Sequence, residues 1–125
     1  IAKTFKAMKN NKKELVVWGS GKPKRELMFS GDLADACLFF LKKKTKETLI
    51  NIGTSNEMTI SDYAKFIIKK LNLKLKIKFD KTKHDGTKRK ILDSSIAKKY
   101  GWRPKINLDT GFKITYSAYI KKNNE

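Results

Sequence analysis

The sequence predicts a mixed α/β (α+β) domain in which a small sheet packs with several helices. Two patterns indicate this class: segments with apolar residues at helical spacing alternate with short apolar or alternating runs bounded by Gly or Pro. Hydrophobic residues make up 39% of the 125 residues, which is enough for a buried core, so we do not expect a disordered chain. The predicted order is helix, strand, loop, strand, helix, strand, helix, strand, turn, helix, helix.

The first half of the chain is predicted to carry two helices, two short extended pieces and a loop. These are a helix over 1–11, a strand over 14–18, a loop over 19–23, an extended piece over 27–29 and a helix from 30 to about 44. Ser30 and Asp32 are residue types that cap a helix N-terminus. Spacing by i, i+4, i+7 and i+8 predicts that this helix buries the stripe formed by Leu33, Cys37, Phe40 and Leu41.

The second half is predicted from capping and periodicity in the same way. The predicted elements are a strand over 48–52, a helix over 59–72, a strand over 73–79, a turn over 84–87, a short helix from 93 to about 101 and a helix from 108 to about 122. Thr59 and Asp62 have the spacing of a capping box. In the last helix, Phe112, Tyr116, Tyr119 and Ile120 are expected to face inward.

The chain is strongly basic, with 30 Lys and Arg against 12 Asp and Glu and a net charge of +18. Such an excess is typical of polyanion binders. However, only three of these 30 residues are Arg. Lys alternates with apolar residues over 73–78, as expected for the solvent-exposed face of a strand. Nucleic-acid readers favour the planar fork of Arg. A basic nucleic-acid-binding module therefore stays as an alternative and not as the first hypothesis.

Several kinds of catalytic site are excluded by residue types. The Tyr-x-x-x-Lys pair of short-chain dehydrogenases is absent, because Ile67, Pro104, Ile120 and Asn123 follow the four tyrosines at that spacing. One histidine, His84, and one cysteine, Cys37, cannot build a zinc site, so we predict no metal. Cys37 is interpreted as a core thiol, and a single cysteine fits a reducing compartment. No apolar run approaches the ~20 residues of a membrane helix.

The segment Trp18-Gly19-Ser20-Gly21-Lys22 fits neither phosphate-loop template. A dinucleotide loop needs Gly or Ala at its sixth position, where Lys24 stands, and a Walker loop needs Ser or Thr where Pro23 stands. Pro23 also lacks the backbone N–H that a phosphate would use. The segment is therefore predicted to be a turn that ends a strand.

Two other features indicate a binding site. Arg25 follows this loop and Trp18, and a ring beside a guanidinium suits a nucleotide, through apolar contact from one and a phosphate bond from the other. The run from Asp85 through Gly86 to Lys90 joins a carboxylate, which can accept from sugar hydroxyls, to cations that can hold a diphosphate.

Together these segments resemble the extended short-chain dehydrogenase/reductase enzymes that act on sugar nucleotides, and in particular the GDP-L-fucose synthase family. The residues that carry the resemblance are Val17 to Glu26, Asp32-Leu33-Ala34-Asp35-Ala36, Ile52-Gly53-Thr54, Thr59-Ile60, Asp85 to Lys90, Leu92-Asp93 and Gly101-Trp102. They extend over nearly the whole chain. The family is the NADP-dependent GDP-4-keto-6-deoxy-D-mannose 3,5-epimerase/4-reductase.

The resemblance implies five substrate-binding positions in this chain and no catalytic one. They are Lys3, Trp18, Arg25, Asp85 and Lys90, with Arg25 and Lys90 on the diphosphate. One departure is Gly31, which stands where family members often have the first of two acidic residues. This departure concerns the helix start and not the substrate contacts.

The resemblance also implies parts that this chain lacks. From the resemblance, residues 1–125 are expected to be the C-terminal substrate-binding part, and the first residue, Ile1, is expected to lie inside a longer product. A Rossmann domain that binds NADP, a Ser/Tyr/Lys set, and the Cys and His used for epimerisation are expected before Ile1. The isolated chain should then bind no cofactor and be inactive, while the complete enzyme should be a cytoplasmic homodimer. Another sugar-nucleotide epimerase or dehydratase of this superfamily is a further alternative.

Overall fold

The computed structural model describes residues 1–124 and confirms the mixed α/β class. In this part of the chain five helices alternate with five short strands. They are α1 Ala2–Lys9, β1 Glu14–Trp18, β2 Lys24–Glu26, α2 Ser30–Lys42, β3 Glu57–Thr59, α3 Ile60–Lys70, β4 Lys76–Asp80, β5 Arg89–Lys90, α4 Ser95–Lys99 and α5 Leu108–Asn124. The chain divides into two compact units: unit 1 holds residues 1–25 and 57–90, and unit 2 holds 26–56 and the residues from 91 onward.

Unit 1 is built on a parallel pair of strands, β1 and β4, in which Leu15 lies beside Ile77 and Val17 beside Phe79. Burial alternates along β1, as the period of two in a strand requires. The inward residues pack on α3, where Ala64 is buried. The opposite face of β1 carries Glu14, Val16 and Trp18, all of which are exposed.

A second sheet in unit 1 has the order β3–β2–β5, and β2 runs parallel to β5. Its register places Lys24 beside Arg89 and Arg25 beside Lys90. The sequence did not predict these strands, since Lys-Arg-Glu and Arg-Lys show no apolar alternation. The pairing is held by hydrogen bonds and charge, including the Lys24 N–H that donates to the Lys88 carbonyl at 2.8 Å.

Unit 2 consists of α2, α4, α5 and the segments between them. Its core contains Ala36, Ala97 and Trp102. The partly buried side chains against this core include Met28, Phe39, Phe40, Ile50 and Ile52. At its centre two small residues, Ala36 of α2 and Ala97 of α4, are fully buried beside Trp102.

The predicted buried stripe of α2 is wrong. Of its four residues only Phe40 packs against the core, whereas Leu33, Cys37 and Leu41 are exposed. The residues that the helix buries are Ala36 and Asp32. The inward face is rotated because Asp32 accepts a hydrogen bond from the Ile106 N–H at 2.9 Å. Periodicity could not show this, since it treats a carboxylate as a solvent-facing group.

The capping prediction for α2 is wrong as well. The N-cap is Phe29, with no side-chain hydrogen bond, and Ser30 is already helical. Asp35, one turn further on, accepts from the Trp102 indole N–H at 3.1 Å and from Lys105 Nζ at 3.0 Å. Both carboxylates of this helix therefore fasten later segments of unit 2.

Two predicted strands are absent from the described residues. The extended piece over 27–29 forms no ladder, since the strand lies three residues earlier, at β2. The segment 48–52 pairs with no strand either, although Ile50 and Ile52 pack inward and Leu49 is 73% exposed. Both segments have strand-forming residues, but a strand in a ladder also needs a partner strand.

Other predictions are confirmed. Thr59 caps α3 by accepting from the Asp62 N–H at 3.0 Å, as the capping box requires. In α5, Phe112 is buried and stacks on Tyr116. The turn predicted at 84–87, by contrast, is wrong: these residues form an exposed loop, and the turn lies at 81–83, where Thr82 donates to the Asp80 carboxylate. No helix in residues 1–124 is long and apolar enough to cross a membrane.

Candidate functional site

All five residues predicted to bind substrate lie in unit 1. Lys3 is in α1, Trp18 ends β1, Arg25 is in β2, Asp85 lies in the loop before β5, and Lys90 ends β5. Four of them are exposed, and Arg25 is half-buried. The site is thus formed by the ends of short strands and the loops that follow them.

The glycine loop after β1 is occupied by the protein's own hydrogen bonds. The Gly19 N–H donates to the Asp80 carbonyl, the Ser20 N–H to Asp85 Oδ1, and the Lys22 N–H to Ser20 Oγ. Because Pro23 has no N–H, the loop presents no cradle of free donors to a phosphate. Its residues therefore do not fit the phosphate site of a nicotinamide cofactor.

Trp18 is 62% exposed, because the alternation of β1 turns it away from the core. Lys3 Nζ lies 4.1 Å from the centre of its ring, and Lys83 Nζ lies 6.0 Å from it. Cations at these distances are attracted by the ring quadrupole. The ring and the two ammonium groups form a surface suited to an anionic, partly aromatic ligand.

Asp80 is the register partner of Trp18 on β4. A hydrogen bond from Thr82 holds the pKa of the Asp80 carboxyl below its usual value, and the charges of Lys83 and Lys3 act in the same direction. The carboxylate therefore stays ionised and helps to hold the two lysines beside the ring.

Arg25 is fixed by main-chain oxygens. Its Nη1 donates to the carbonyls of Lys24 and Thr87, each at 2.7 Å. The Arg25 carbonyl accepts from the Tyr63 hydroxyl at 3.0 Å, which anchors β2 to α3. Both guanidinium bonds use the same nitrogen, so the side chain has a defined direction before any ligand arrives.

Asp85 is joined to the glycine loop and not to the other four predicted residues. Its Oδ1 accepts from the Ser20 N–H at 2.8 Å, and its Oδ2 accepts from the Ser20 hydroxyl at 2.5 Å. These bonds hold the pKa of the Asp85 carboxyl below its usual value. The structure thus links two loops that lie 65 residues apart in sequence.

Glu57 was missed by sequence reasoning. Its carboxylate accepts from Arg89 Nε at 2.8 Å and from Lys24 Nζ at 3.3 Å, so it binds β3 to both other strands of the sheet. The hydrogen bond from Arg89 holds the pKa of Glu57 below its usual value, and Lys24 adds to this effect. No local pattern marks Glu57, since its partners lie 32 and 33 residues away.

The five predicted residues therefore form two neighbouring pairs and one loop anchor. Lys3 contacts the Trp18 ring, and Arg25 lies beside Lys90 in the register of β2 and β5. Asp85 contacts the loop that follows Trp18. This arrangement can bind and orient an anion with an apolar or aromatic part. In residues 1–124 no group of His, Cys, Asp and Glu is placed to hold a metal ion.

Comparison with known proteins gives a consistent set of relatives. Residues 1–53 match the model of the NAD dependent epimerase/dehydratase family. GDP-L-fucose synthase 1 of Arabidopsis thaliana is 42% identical over 112 residues, which are 90% of this chain and 35% of that protein. GDP-L-fucose synthase of Escherichia coli (strain K12) is 34% identical in an alignment of 130 positions that covers 97% of this chain and 40% of that protein.

Solved structures show the same fold. A GDP-L-fucose synthetase from Naegleria fowleri bound to NADP matches with a TM-score of 0.88 and 25% identity, over 98% of this chain and 39% of that one. A UDP-glucose 4-epimerase from Thermotoga maritima with UDP-glucose matches with a TM-score of 0.80 and 27% identity, over 95% of this chain and 38% of that one. The chain spans between a third and two fifths of the length of these relatives.

Proposed function

We propose that this chain is the GDP-sugar-binding C-terminal portion of a GDP-L-fucose synthase, since residues 1–53 match the NAD dependent epimerase/dehydratase family and GDP-L-fucose synthases are among its relatives. The complete enzyme would convert GDP-4-keto-6-deoxy-D-mannose to GDP-L-fucose with NADPH. This chain would hold the nucleotide sugar, and the groups that make and break bonds would lie in the remaining part of the enzyme.

The observation that carries this proposal is the arrangement of Arg25, Lys90 and Trp18 in unit 1. Arg25 is oriented by two carbonyls and lies beside Lys90 of the neighbouring strand, so the pair offers two positive charges on adjacent strands. A guanidinium held in this way forms directed bonds to a diphosphate. Trp18, with Lys3 against its ring, would contact the nucleoside or the sugar. Asp85 belongs to the same site through its bonds to the loop after Trp18.

The contribution of these residues to catalysis would be orientation. Binding both ends of the nucleotide sugar holds its reacting carbon in one position relative to the catalytic groups. Reacting groups held in this way reach effective molarities of roughly 10⁵ M or more. The chain provides no general acid, base or nucleophile in this account. NADP is assigned to the other part of the enzyme, because the N–H groups of Gly19, Ser20 and Lys22 in the glycine loop here already have acceptors within the protein.

The partner of this chain in the proposal is the Rossmann domain of the complete enzyme, which would be a cytoplasmic homodimer. Unit 2 supports the presence of a domain that packs on this chain, because unit 2 exposes apolar side chains that such a domain would cover. Leu38 is 60% exposed and Leu41 is 81% exposed on α2, and the unpaired segment 48–52 carries the exposed Leu49. The remaining part of the enzyme would pack on these residues.

Two other functions have an observation in their favour. The net charge of +18 favours a nucleic-acid-binding module, for which contacts would be spread over exposed lysines. The structural match to a UDP-glucose 4-epimerase favours another sugar-nucleotide enzyme of the same superfamily. The nucleic-acid module differs from the proposed function in where the ligand binds, and the other sugar-nucleotide enzyme differs from it in the base of the nucleotide that is bound.

A titration of the ¹⁵N-labelled chain, followed by NMR, separates the three. GDP-L-fucose is expected to shift the amides of residues 18–25 and 85–90, while the amides of α5 stay unchanged. Equal shifts with UDP-glucose would favour another sugar-nucleotide enzyme. Diffuse shifts across exposed lysines on addition of a DNA duplex, with none from GDP-L-fucose, would favour the nucleic-acid module.

A further inference from the structure

We propose that Glu57 determines which face of the β3–β2–β5 sheet receives the diphosphate of the ligand. Its carboxylate neutralises one pair of cations, so that an anion binds at the pair on the other face. This role rests on the proposed function and deepens it, because it concerns the same site in unit 1. Glu57 is a positioning residue in this account, since it acts through Lys24 and Arg89.

The pairing of β2 with β5 places cations beside cations twice in succession. Lys24 lies beside Arg89, and the next pair in the register is Arg25 with Lys90. Like charges on neighbouring strands repel one another. Negative charge beside either pair, from the protein or from a ligand, therefore stabilises the ladder.

Glu57 supplies that negative charge to the first pair. Its carboxylate accepts from Lys24 Nζ at 3.3 Å and from Arg89 Nε at 2.8 Å. The Glu57 side chain is only 16% exposed, so water weakens these bonds less than it weakens an ion pair on the open surface. The first pair is thus balanced by the protein itself.

The second pair belongs to the opposite face, because successive side chains of a strand alternate between the two faces of a sheet. Neither Arg25 nor Lys90 forms an ion pair with a carboxylate of residues 1–124. The bonds from Arg25 to main-chain carbonyls use Nη1, which leaves Nε and Nη2 as donors. A diphosphate on this face would balance the second pair as Glu57 balances the first.

Loss of the Glu57 charge would create a second anion site on the first face. With Gln at position 57, Lys24 and Arg89 would no longer be held by a carboxylate and could bind a phosphate group themselves. If Glu57 served only to tie the strands together, its loss would instead weaken the binding of every anion. The two roles therefore predict effects of opposite sign on the binding of inorganic pyrophosphate.

The test compares Glu57→Gln with the unaltered 125-residue chain, both ¹⁵N-labelled and titrated with inorganic pyrophosphate. The sequence has three arginines, so the side-chain Nε–H signals of Arg25, Arg89 and Arg103 can each be assigned by NMR. Glu47→Gln is the matched control, because it changes the net charge equally at an exposed position in unit 2. Circular dichroism first shows that each variant is folded, and calorimetry gives the affinities.

In the unaltered chain we expect pyrophosphate to shift the Arg25 signal and to leave the Arg89 signal in place. In Glu57→Gln the Arg89 signal should shift as well, and pyrophosphate should bind about two- to fivefold more tightly, the range that one exposed ion pair supplies. Glu47→Gln should change neither the signals nor the affinity. The double variant Glu57→Gln/Arg89→Gln, which has the net charge of the unaltered chain, should return the affinity to its original value.

Weaker pyrophosphate binding by Glu57→Gln, or an equal gain from Glu47→Gln, would overturn the inference. In the unaltered chain, an Arg89 signal that shifts as far as the Arg25 signal, or an Arg25 signal that does not shift, would overturn it too. If Glu57→Gln does not fold, the double variant decides, since a role in tying the strands predicts a loss of affinity there and the charge role predicts none. GDP-L-fucose judges the proposed function separately. A chain that binds pyrophosphate at Arg25 but does not bind GDP-L-fucose would keep the role of Glu57 and reject the proposed function.

Discussion

Gly19 has a backbone that only glycine adopts without strain, and its neighbour Asp85 leaves no space for a side chain. These are two separate constraints, a φ of +75° and a Cβ contact of 2.1 Å. Gly101 is subject to the first constraint alone, since its φ is +95° and nothing lies within 4 Å of its Cβ position. The two glycines form a natural comparison between backbone strain and steric conflict.

We expect Gly19→Ala to lower the free energy of unfolding more than Gly101→Ala does. Gly101→Ala should cost about 1–2 kcal/mol from backbone strain, and Gly19→Ala should cost about 1–3 kcal/mol more because the carboxylate must move. Urea denaturation of both variants measures the difference. Equal losses would show that Asp85 moves away freely.

Trp18 and Arg25 were identified from sequence because they flank a loop whose Gly and Pro residues mark its boundaries. Glu57 was not identified, since it acts on Lys24 and Arg89 through strand pairing that no local pattern encodes. The bonds of Asp85 to Ser20 were missed for the same reason. Residue types and turns can be read locally, whereas contacts between loops distant in sequence depend on the fold.

Helix α2 shows why apolar spacing alone did not predict which face of the helix is buried. Four apolar residues at helical spacing predicted the inward side, yet the helix turns Ala36 and Asp32 to the core of unit 2. A small residue permits close packing with Ala97, and Asp32 is satisfied by the Ile106 N–H. The exposed leucines fit the proposal that another part of the enzyme covers this helix.

The orientation of α2 is tested by two lysine substitutions. Leu41→Lys should change the free energy of unfolding by no more than about 0.5 kcal/mol, since Leu41 is 81% exposed. Ala36→Lys should cost about 3 kcal/mol or more, because it places an unpaired charge in a fully buried position. Thermal or urea unfolding of the isolated chain measures both. The reverse order of effects would restore the face predicted from periodicity.

The β3–β2–β5 sheet depends on charge, which gives it a defined response to pH. The pKa of Glu57 is lowered in the folded chain, so its contribution to stability is fully present above the unfolded pKa of about 4.3 and is lost as pH falls through the folded value. Glu57→Gln should therefore be less stable than the unaltered chain at pH 7. The difference should shrink below about pH 4, as urea denaturation at several pH values would show. A difference that does not depend on pH would mean that Glu57 acts by packing alone.

For the molecule as a whole, the sequence predicted the mixed α/β fold class, but it did not predict the division into two units. Each unit is assembled from segments that are distant in sequence, so no change in composition marks a boundary. That the basic surface is not a specific nucleic-acid site also stays a prediction. That this chain is the C-terminal substrate-binding part stays a prediction.

The pure chain is expected not to oxidise NADPH in the presence of GDP-4-keto-6-deoxy-D-mannose. It has no Tyr-x-x-x-Lys pair, and the N–H groups of its glycine loop are engaged. Absorbance at the NADPH band measures this directly. The matched sample contains an active GDP-L-fucose synthase, such as the Escherichia coli relative. Turnover by the chain alone would contradict the roles assigned to it.

The most direct test of the account is the affinity of Arg25 variants for GDP-L-fucose, measured by calorimetric titration of the chain. Arg25→Ala should lose about 1.5–3 kcal/mol of binding free energy, the scale of a hydrogen bond to a charged group, and Arg25→Lys should recover only part of it. Arg103→Ala removes the same side chain from an exposed position in unit 2 and should leave binding unchanged. Equal losses for Arg25→Ala and Arg103→Ala would show that the basic surface attracts anions diffusely, and would contradict a GDP-sugar site in unit 1.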